Sequence, residues 1–459
     1  MRKFLIVLLL LGLIVAFTMP VCAADVKFSG SYVVQGYYED NRKLSDPEGS
    51  SLSNMWQRLR VQTVFQVAEG LKLTTRFDAM EKIWGAARTS GVESGTQHVS
   101  GFTGANTGSV SQENENIKFD DVFVTFAIPI GTIDAGYMNY GAWGTVYGNS
   151  TETTNAPRVR YTYAQGPIIL QLAYDKNEGS KGYSSTGPAG TPANTDDDFE
   201  KYNLYFTYKW NTGSAGVQIQ YNLDSSNSDA AATYTASNGY RAKYWAFYPY
   251  VKATFGRVYL EAELGFAFGD YKEYISANNR EDQDMESWRG YIMASVDLAP
   301  AYVGALAFYA SGDDPGTTDK YEGGLKTGPD FNPCLILMNY DLGRWNGVMG
   351  GANGVSTTYN MDNVFGAQLF AGIKPIPRLD IKASVTYAKL NENPSATTRL
   401  HDKDLGYEAD ITATYMIFDN LSYMVGFGYL FAGDAYEGAS HTSKVEDDFL
   451  LTHKLTLTF

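Results

Sequence analysis

The 459-residue sequence predicts an all-β protein, a transmembrane antiparallel up-and-down β-barrel of about 18 strands, or alternatively about 16. Two features recur along the chain: segments in which apolar and polar residues alternate, and short turns that alternate with long polar loops. A third is the chain end, where Leu451 to Phe459 alternate and finish on an aromatic residue. Alternation gives a strand one apolar and one polar face. A closed ring of such strands has no unpaired edge, as a membrane interior requires.

The N-terminus has the pattern of a secretory signal peptide. A basic Arg2-Lys3 pair precedes an apolar run from Phe4 to Phe17, and small residues follow near Ala23. We therefore expect residues 1–23 to be removed and residues 24–459 to form the barrel. An uncleaved membrane anchor is the alternative, but a strand pattern begins directly afterwards. Cleavage would leave Cys334 as the only cysteine, so we expect no intramolecular disulfide.

The composition fits a membrane barrel. The chain has a formal net charge of −15, with 34 tyrosines and 46 glycines, and its mean hydropathy is negative. Half of the strand residues of a membrane barrel face water, so low hydropathy does not exclude a membrane location. Tyrosine suits the membrane interfaces, where its ring lies in lipid and its hydroxyl reaches the headgroups. The acidic charge disfavours nucleic-acid binding, which needs a basic surface.

The strands follow in order from the alternation, and the turns from clusters of Gly, Pro, Asn and Asp. We predict strands at 25–39, 55–67, 71–83, 116–128, 132–140, 158–163, 168–174, 202–210, 217–223, 241–255, 258–268, 287–298, 302–310, 363–373, 379–387, 404–418, 421–431 and 445–459. Pro249 within one of them predicts a bulge or a break. The even count places both chain ends on one side, together with the short turns. We expect the long loops, above all about 85–115 and about 311–361, on the external side.

The pore lining is predicted from the residues that alternate with the apolar ones. The basic candidates are Arg58, Arg60, Lys72, Arg76, Lys82, Arg158 and Arg160. The acidic candidates are Asp78, Glu261, Glu263, Asp297, Asp380, Glu408 and Asp410. The first five basic residues lie on adjacent strands and should form one patch. Either this patch draws anionic solutes through the pore, or its arginines pair with inner-wall carboxylates and brace the barrel.

The loop at 311–361 is too long to be a plain connector. It contains an apolar segment, Pro333 to Met338, followed by Trp345. Apolar groups avoid water, so we expect the loop to fold inward and narrow the pore. The predicted constriction residues are Pro333, Leu335, Ile336, Leu337 and Trp345. A cap over the mouth and a subunit contact are the alternatives, and Cys334 is expected to be a buried small apolar residue.

Two stretches carry a family resemblance. The segment GYEADITATYMIFDNLSYMVGFGYLFAGD (Gly406 to Asp434), together with the signal-peptide pattern and the Trp56 to Trp84 hairpin, resembles outer-membrane porins of delta-proteobacteria. It also resembles, distantly, the alginate-export family of barrels. The last nine residues resemble the C-terminal signature strand of Gram-negative outer-membrane proteins, although His453 stands where that signature prefers an apolar or aromatic residue. The resemblance implies a passive channel, monomeric or homotrimeric, inserted by the barrel-assembly machinery through its last strand and surrounded by outer-membrane lipids and lipopolysaccharide.

The sequence thus predicts an outer-membrane porin for small hydrophilic solutes or ions, with a preference for anions as one interpretation. A polysaccharide or oligosaccharide export channel and the barrel sheath of a porin–cytochrome electron conduit are the alternatives. We expect no enzymatic activity, no cofactor and no metal. The four histidines have neither metal-ligand spacing nor a neighbouring nucleophile; they are His98, His401, His441 and His453.

Overall fold

The computed structural model describes most of the chain. It covers residues 25–41, 44, 51–84, 117–151, 155–178, 198–228, 239–274, 280–339, 341, 362–392, 402–437 and 444–459. The predicted signal peptide, the loop at 85–115 and Trp345 lie outside the described residues. So do three of the histidines, which are His98, His401 and His441.

Nineteen strands form one β-sheet. They are β1 Asp25–Glu39, β2 Leu52–Ala68, β3 Leu71–Ile83, β4 Ile117–Ile128, β5 Gly131–Asn139, β6 Asn155–Gln165, β7 Ile168–Glu178, β8 Phe199–Trp210, β9 Gly213–Asp224, β10 Tyr240–Phe255, β11 Val258–Tyr274, β12 Gln283–Leu298, β13 Ala301–Ala310, β14 Lys320–Tyr321, β15 Val364–Ile376, β16 Leu379–Leu390, β17 Asp404–Phe418, β18 Leu421–Ala432 and β19 Asp448–Thr458. The two-residue β14 lies in a loop and pairs parallel with β12. Each of the other eighteen strands pairs with its sequence neighbours, and β19 pairs with β1. The predicted 18-stranded barrel is confirmed.

The ring closes where the predicted terminal strand meets the first one. Gly30 and Phe459 exchange both backbone hydrogen bonds, at N···O distances of 2.8 and 3.1 Å. His453, the departure from the signature pattern, lies opposite Gly36 in the β1–β19 register, and its ring is 5.9 Å from that of Tyr423. A Cβ at residue 36 would lie 2.4 Å from His453 Nε2. The glycine therefore makes room for an imidazole at this position.

Short turns and long loops separate to opposite ends of the barrel, as predicted. Each short turn has two residues, and the turns are 69–70, 129–130, 166–167, 211–212, 256–257, 299–300, 377–378 and 419–420. Both ends of the described chain lie on the short-turn side, because β1 starts and β19 ends there. The expected bulge or break at Pro249 is wrong: β10 continues through Pro249, which pairs with Val217, and its register with β9 does not shift there. β10 and β11 also keep their register across this point, although Tyr248 and Pro249 have no partner on β11.

The outer face is apolar and carries aromatic rows near both ends. On the long-loop side, the rings of Tyr174, Tyr202, Tyr221 and Trp245 follow one another around the barrel at centroid distances of 5.3, 6.4 and 4.8 Å. Tyr208 lies six residues further along β8 than Tyr202, roughly 20 Å at the rise of a strand. Aliphatic side chains between such rows match the hydrocarbon layer of a membrane.

Helical structure is nearly absent from the described residues, and a four-residue 3-10 helix, Asp434–Glu437, follows β18. Within the described part of the chain, no helix is long and apolar enough to cross a membrane.

Two loops from the long-loop side fold into the barrel. We call residues 140–151 the first inner loop and residues 311–339 the second inner loop. Side chains from both, including Tyr147, Phe331 and Leu337, join Tyr291 and Phe308 of the wall in the largest buried apolar cluster. This cluster lies inside the barrel, so the two loops fill part of the lumen.

Candidate functional site: the narrowed pore

The predicted basic patch is present on the inner wall, but its arginines are paired. Arg60 binds Asp78 through two side-chain hydrogen bonds of 2.7 and 2.6 Å. Arg58 lies 3.9 Å from the same carboxylate. Arg76 lies 3.4 Å from the carboxylate of Asp120. Charged groups at these distances on neighbouring strands cross-link the wall and largely cancel each other's field.

Two of the counter-charges were missed in the sequence. Asp120 and Asp121 are consecutive in β4, so strict alternation would put them on opposite faces. A register shift between Arg76 and Phe77 of β3 and the facing residues of β4 breaks the alternation there. Asp121 then also reaches Arg76, with a distance of 3.4 Å from Nε to Oδ2. Two adjacent acidic residues within a predicted strand could have indicated this bulge, since a bulge can turn both side chains to one face.

The patch is smaller than predicted because Lys82 faces outward. Met80 has a positive φ of 54°, and the β2–β3 register shifts between Gln57 and Leu59. Lys82 therefore pairs with Gln57, whose side chain accepts a hydrogen bond from the outward Tyr32. The prediction that Lys82 lines the pore is wrong, since a bulge reverses the alternation beyond it. Lys72 keeps its predicted inward face near the short-turn end, opposite Gln66.

Arg158 and Arg160 of β6 are also inward and paired. Arg158 donates two hydrogen bonds to Asp175, one of them at 2.8 Å, and another to Tyr205 at 3.2 Å. Its side chain is 3% exposed and that of Asp175 is 0% exposed. Arg160 lies 2.9 Å from Asp134. Both partner aspartates were absent from the predicted lining, although each lies on an adjacent strand and on the inward face.

The first inner loop is held by the predicted wall residue Glu263. Its Oε2 accepts hydrogen bonds from the backbone N–H and the hydroxyl of Thr145, at 2.8 and 2.9 Å. Its Oε1 accepts from Arg289 at 3.0 Å. Tyr147 of the same loop stacks on Tyr291, with ring centroids 5.2 Å apart. Burial raises the pKa of the Tyr147 hydroxyl, which donates to the backbone oxygen of Tyr309.

The second inner loop lies against the first. The N–H of Gly328 donates to the carbonyl of Tyr147 at 2.7 Å, and that of Asp330 donates to the carbonyl of Asn149 at 3.1 Å. The guanidinium of Arg289 donates to the carbonyl of Lys326 in the second inner loop. Arg289 also donates to Glu263, which holds the first inner loop, so this wall residue links the two loops. The two loops thus form one hydrogen-bonded body inside the barrel.

The predicted constriction residues between 333 and 337 contact the wall at β15 and β17. The carbonyl of Pro333 accepts a hydrogen bond of 2.7 Å from Gln368, and Ile336 and Leu337 are 0% exposed. Cys334 is buried, as predicted, and burial raises the pKa of its thiol well above the usual range. The inward position of this segment favours the pore-narrowing interpretation over a cap.

Glu408 of β17 holds the tip of the second inner loop. Its Oε1 accepts hydrogen bonds from the backbone N–H groups of Leu335 and Ile336, at 2.9 and 2.7 Å. Its Oε2 accepts from Leu337 at 2.6 Å. Cys334, Glu408 and Asp410 offer potential metal ligands within 4.8 Å of one another. Three N–H groups directed at Glu408 favour a bound negative charge and oppose a cation, so the arrangement fits a loop anchor better than a metal site.

The remaining acidic candidates lie along the wall. Glu261 accepts hydrogen bonds from Tyr291 at 2.7 Å and from Tyr259 at 2.8 Å. Asp380 accepts from Tyr302 at 2.9 Å. Asp297 is exposed at the short-turn end, where it accepts from the backbone N–H of Ala299. These donors are neutral, so the three carboxylates keep their negative charge, whereas the predicted arginines of the wall are paired with carboxylates.

The fold is similar to that of solved outer-membrane β-barrels. The chain is similar to OpdG (OccK9) of Pseudomonas aeruginosa, with a TM-score of 0.51 and 13% identity over 94% of this chain and 99% of that chain. It is similar to the outer membrane protein OprD of Pseudomonas aeruginosa, with a TM-score of 0.50 and 10% identity over 94% of each chain. No protein-family model and no curated protein sequence matches this chain. The similarity shows an outer-membrane type of β-barrel, and at these identities it is a similarity of fold.

Proposed function

We propose that this chain is an outer-membrane porin, a passive diffusion channel for small hydrophilic solutes and ions. One observation carries the proposal: a closed barrel has an apolar outer face, a charged and polar inner wall, and two loops that narrow its lumen. A pore of this kind discriminates by the size of its opening and by the charge along its wall.

We further propose that size selects more strongly than charge. Each predicted pore-lining arginine is within 4 Å of a carboxylate, as Arg60 is of Asp78 and Arg160 is of Asp134. Paired charges of opposite sign give a small net potential, so any anion preference should be weak. Of the two interpretations of the patch, the contacts favour bracing of the barrel.

The alternative functions fit the lumen less well. A cytochrome sheath and a polysaccharide exporter both need a continuous wide bore. The two inner loops occupy part of that bore, and they are hydrogen-bonded to the wall at β11 through Glu263 and at β17 through Glu408. The proposed partners are therefore small solutes in the lumen, and outer-membrane lipids and lipopolysaccharide around the apolar outer face.

Planar-bilayer recording with a salt gradient tests the function. We expect discrete single-channel steps and a reversal potential close to zero. A protein that inserts as a folded barrel and carries no current would refute the porin proposal. A reversal potential near the ideal value for anions would refute weak charge selection.

Assembly needs separate experiments. We propose that the barrel-assembly machinery recognises β19 and that the barrel forms a homotrimer in the membrane. Analytical ultracentrifugation in detergent would detect a trimer, and removal of the terminal Phe459 should lower the yield of inserted barrel.

A further inference from the structure

A buried carboxylate is bonded to the backbone of the second inner loop. Glu408 is 0% exposed, and its two oxygens accept three N–H groups in a row, those of residues 335 to 337. A buried N–H group that loses its acceptor carries an uncompensated desolvation cost. The position of residues 335 to 337 thus depends on the two oxygens of one wall side chain.

The neighbouring strand supplies a recess into which the loop tip fits. A Cβ at Gly428 would lie 2.7 Å from Asp410 Oδ1 and 3.1 Å from Leu335 Cβ. A Cβ at Gly426 would lie 3.2 Å from Leu335 Cδ1. Two glycines on the inward face of β18 therefore leave the volume that Leu335 occupies.

Several titratable groups surround Glu408. Asp410 follows on the same strand, Cys334 lies on the loop itself, and Lys382 of β16 lines the small cavity beside Asp410. Tyr436 of the 3-10 helix is also close enough to interact electrostatically with Glu408 and Asp404. Glu408 pairs with Thr386 of β16 and Leu430 of β18, and both residues are uncharged.

We propose that Glu408 sets the opening of the pore as a positioning residue, by holding residues 335 to 337 of the second inner loop in the recess of β18. This inference rests on the proposed porin function and names the residue that determines its size limit. A glutamine at 408 replaces one of the two acceptor oxygens with an NH2 donor, so part of the set of three N–H groups loses its acceptor. The loop tip then leaves the recess, the opening widens, and Cys334 becomes accessible.

Two readouts test this proposal in the folded chain in detergent and in bilayers. The first is single-channel conductance at pH 7. The second is the modification rate of Cys334 by a maleimide, assigned by mass spectrometry. Because maleimides react with the thiolate, each rate is divided by that of the denatured chain at the same pH.

We expect Glu408→Gln to raise the relative modification rate of Cys334 by at least about tenfold at pH 7. Its conductance should exceed that of the native chain. Asp380→Asn is the matched control, because Asp380 accepts its hydrogen bond from Tyr302 of the wall and contacts neither inner loop.

The variant Gly428→Ala tests the recess with Glu408 intact, and it decides the question should Glu408→Gln not fold. It should expose Cys334 by filling the site of Leu335. Native-like modification rates in both variants would overturn the role of Glu408. A native chain with the expected Cys334 rates but no current would overturn the porin function alone.

Discussion

Two parts of the inner wall use buried carboxylates in different ways. On β2 to β7, Asp78 and Asp175 face arginines of adjacent strands, so each charge is neutralised within the wall. On β11 and β17, Glu263 and Glu408 face loop backbones that cross the lumen. The first arrangement stiffens the ring, whereas the second determines how much of the lumen stays open. The comparison teaches that an inward carboxylate defines the pore only where its partner is a loop.

The largest expected effect comes from breaking a pair within the wall. Arg158→Ala leaves Asp175 buried without its cation, and removing one partner of a buried ion pair costs about 3–5 kcal/mol. We expect a lower midpoint of thermal unfolding in detergent, with unchanged conductance below it. Arg160→Ala is the control, since its side chain is 27% exposed and its loss should cost about 1 kcal/mol or less. Equal losses in the two variants would contradict the bracing role of the buried pair.

A smaller loss of stability but a clear change in current is expected when a loop anchor is changed. Glu263→Gln weakens the bonds from Thr145 and Arg289, at a cost of about 2 kcal/mol. The first inner loop should become mobile, and single-channel conductance should increase. Glu261→Gln is the control, because Glu261 accepts hydrogen bonds from wall tyrosines and none from a loop backbone. A higher single-channel conductance in Glu261→Gln, but not in Glu263→Gln, would contradict the role of Glu263 as the anchor of the first inner loop.

The barrel seam offers a test that leaves the pore untouched. Gly36→Ala places a methyl group where His453 Nε2 lies, 2.4 Å from the ideal Cβ position, and overpacking of this kind costs about 1–3 kcal/mol. We expect a lower unfolding midpoint, measured by heat-dependent mobility in gels, and partial recovery in Gly36→Ala/His453→Ala. Additive losses in the double variant would show that the two residues do not contact each other.

The smallest expected effect concerns selectivity. Arg60→Gln/Asp78→Asn removes one positive and one negative charge together, so the reversal potential should stay unchanged. Arg60→Gln alone leaves Asp78 without this partner and should shift the potential towards cations. A strong shift in the double variant would show that Arg60 acts as an anion filter despite its pairing.

Much of the wall could be predicted from the sequence, because alternation is a local property. The bounds of β1, 25–39, agree residue for residue with the structure, and so do those of β17, 404–418. The inward position of Glu263 and Glu408 follows from the same alternation. Lys82 was misplaced because the bulge at Met80 depends on backbone conformation and leaves no mark in the polar pattern.

The partners of the charged residues could not be predicted. Arg76 meets Asp120, which is 44 residues away, and this contact depends on a register shift between two strands. Leu335 meets Glu408 across 73 residues, and only the closed ring brings that part of the loop to β17. An apolar segment in a long loop indicates burial, but it does not tell which wall receives it.

By itself, the sequence determined the kind of protein this is, an antiparallel barrel with sorted faces and long loops on one side. It could do so because alternate residues of each strand differ in polarity, according to whether they face the outside or the inside of the barrel. Tertiary structure alone decided which charges cancel and which carboxylates hold the loops. Those outcomes depend on the register between strands and on closure of the ring, and both are properties of distant segments acting together.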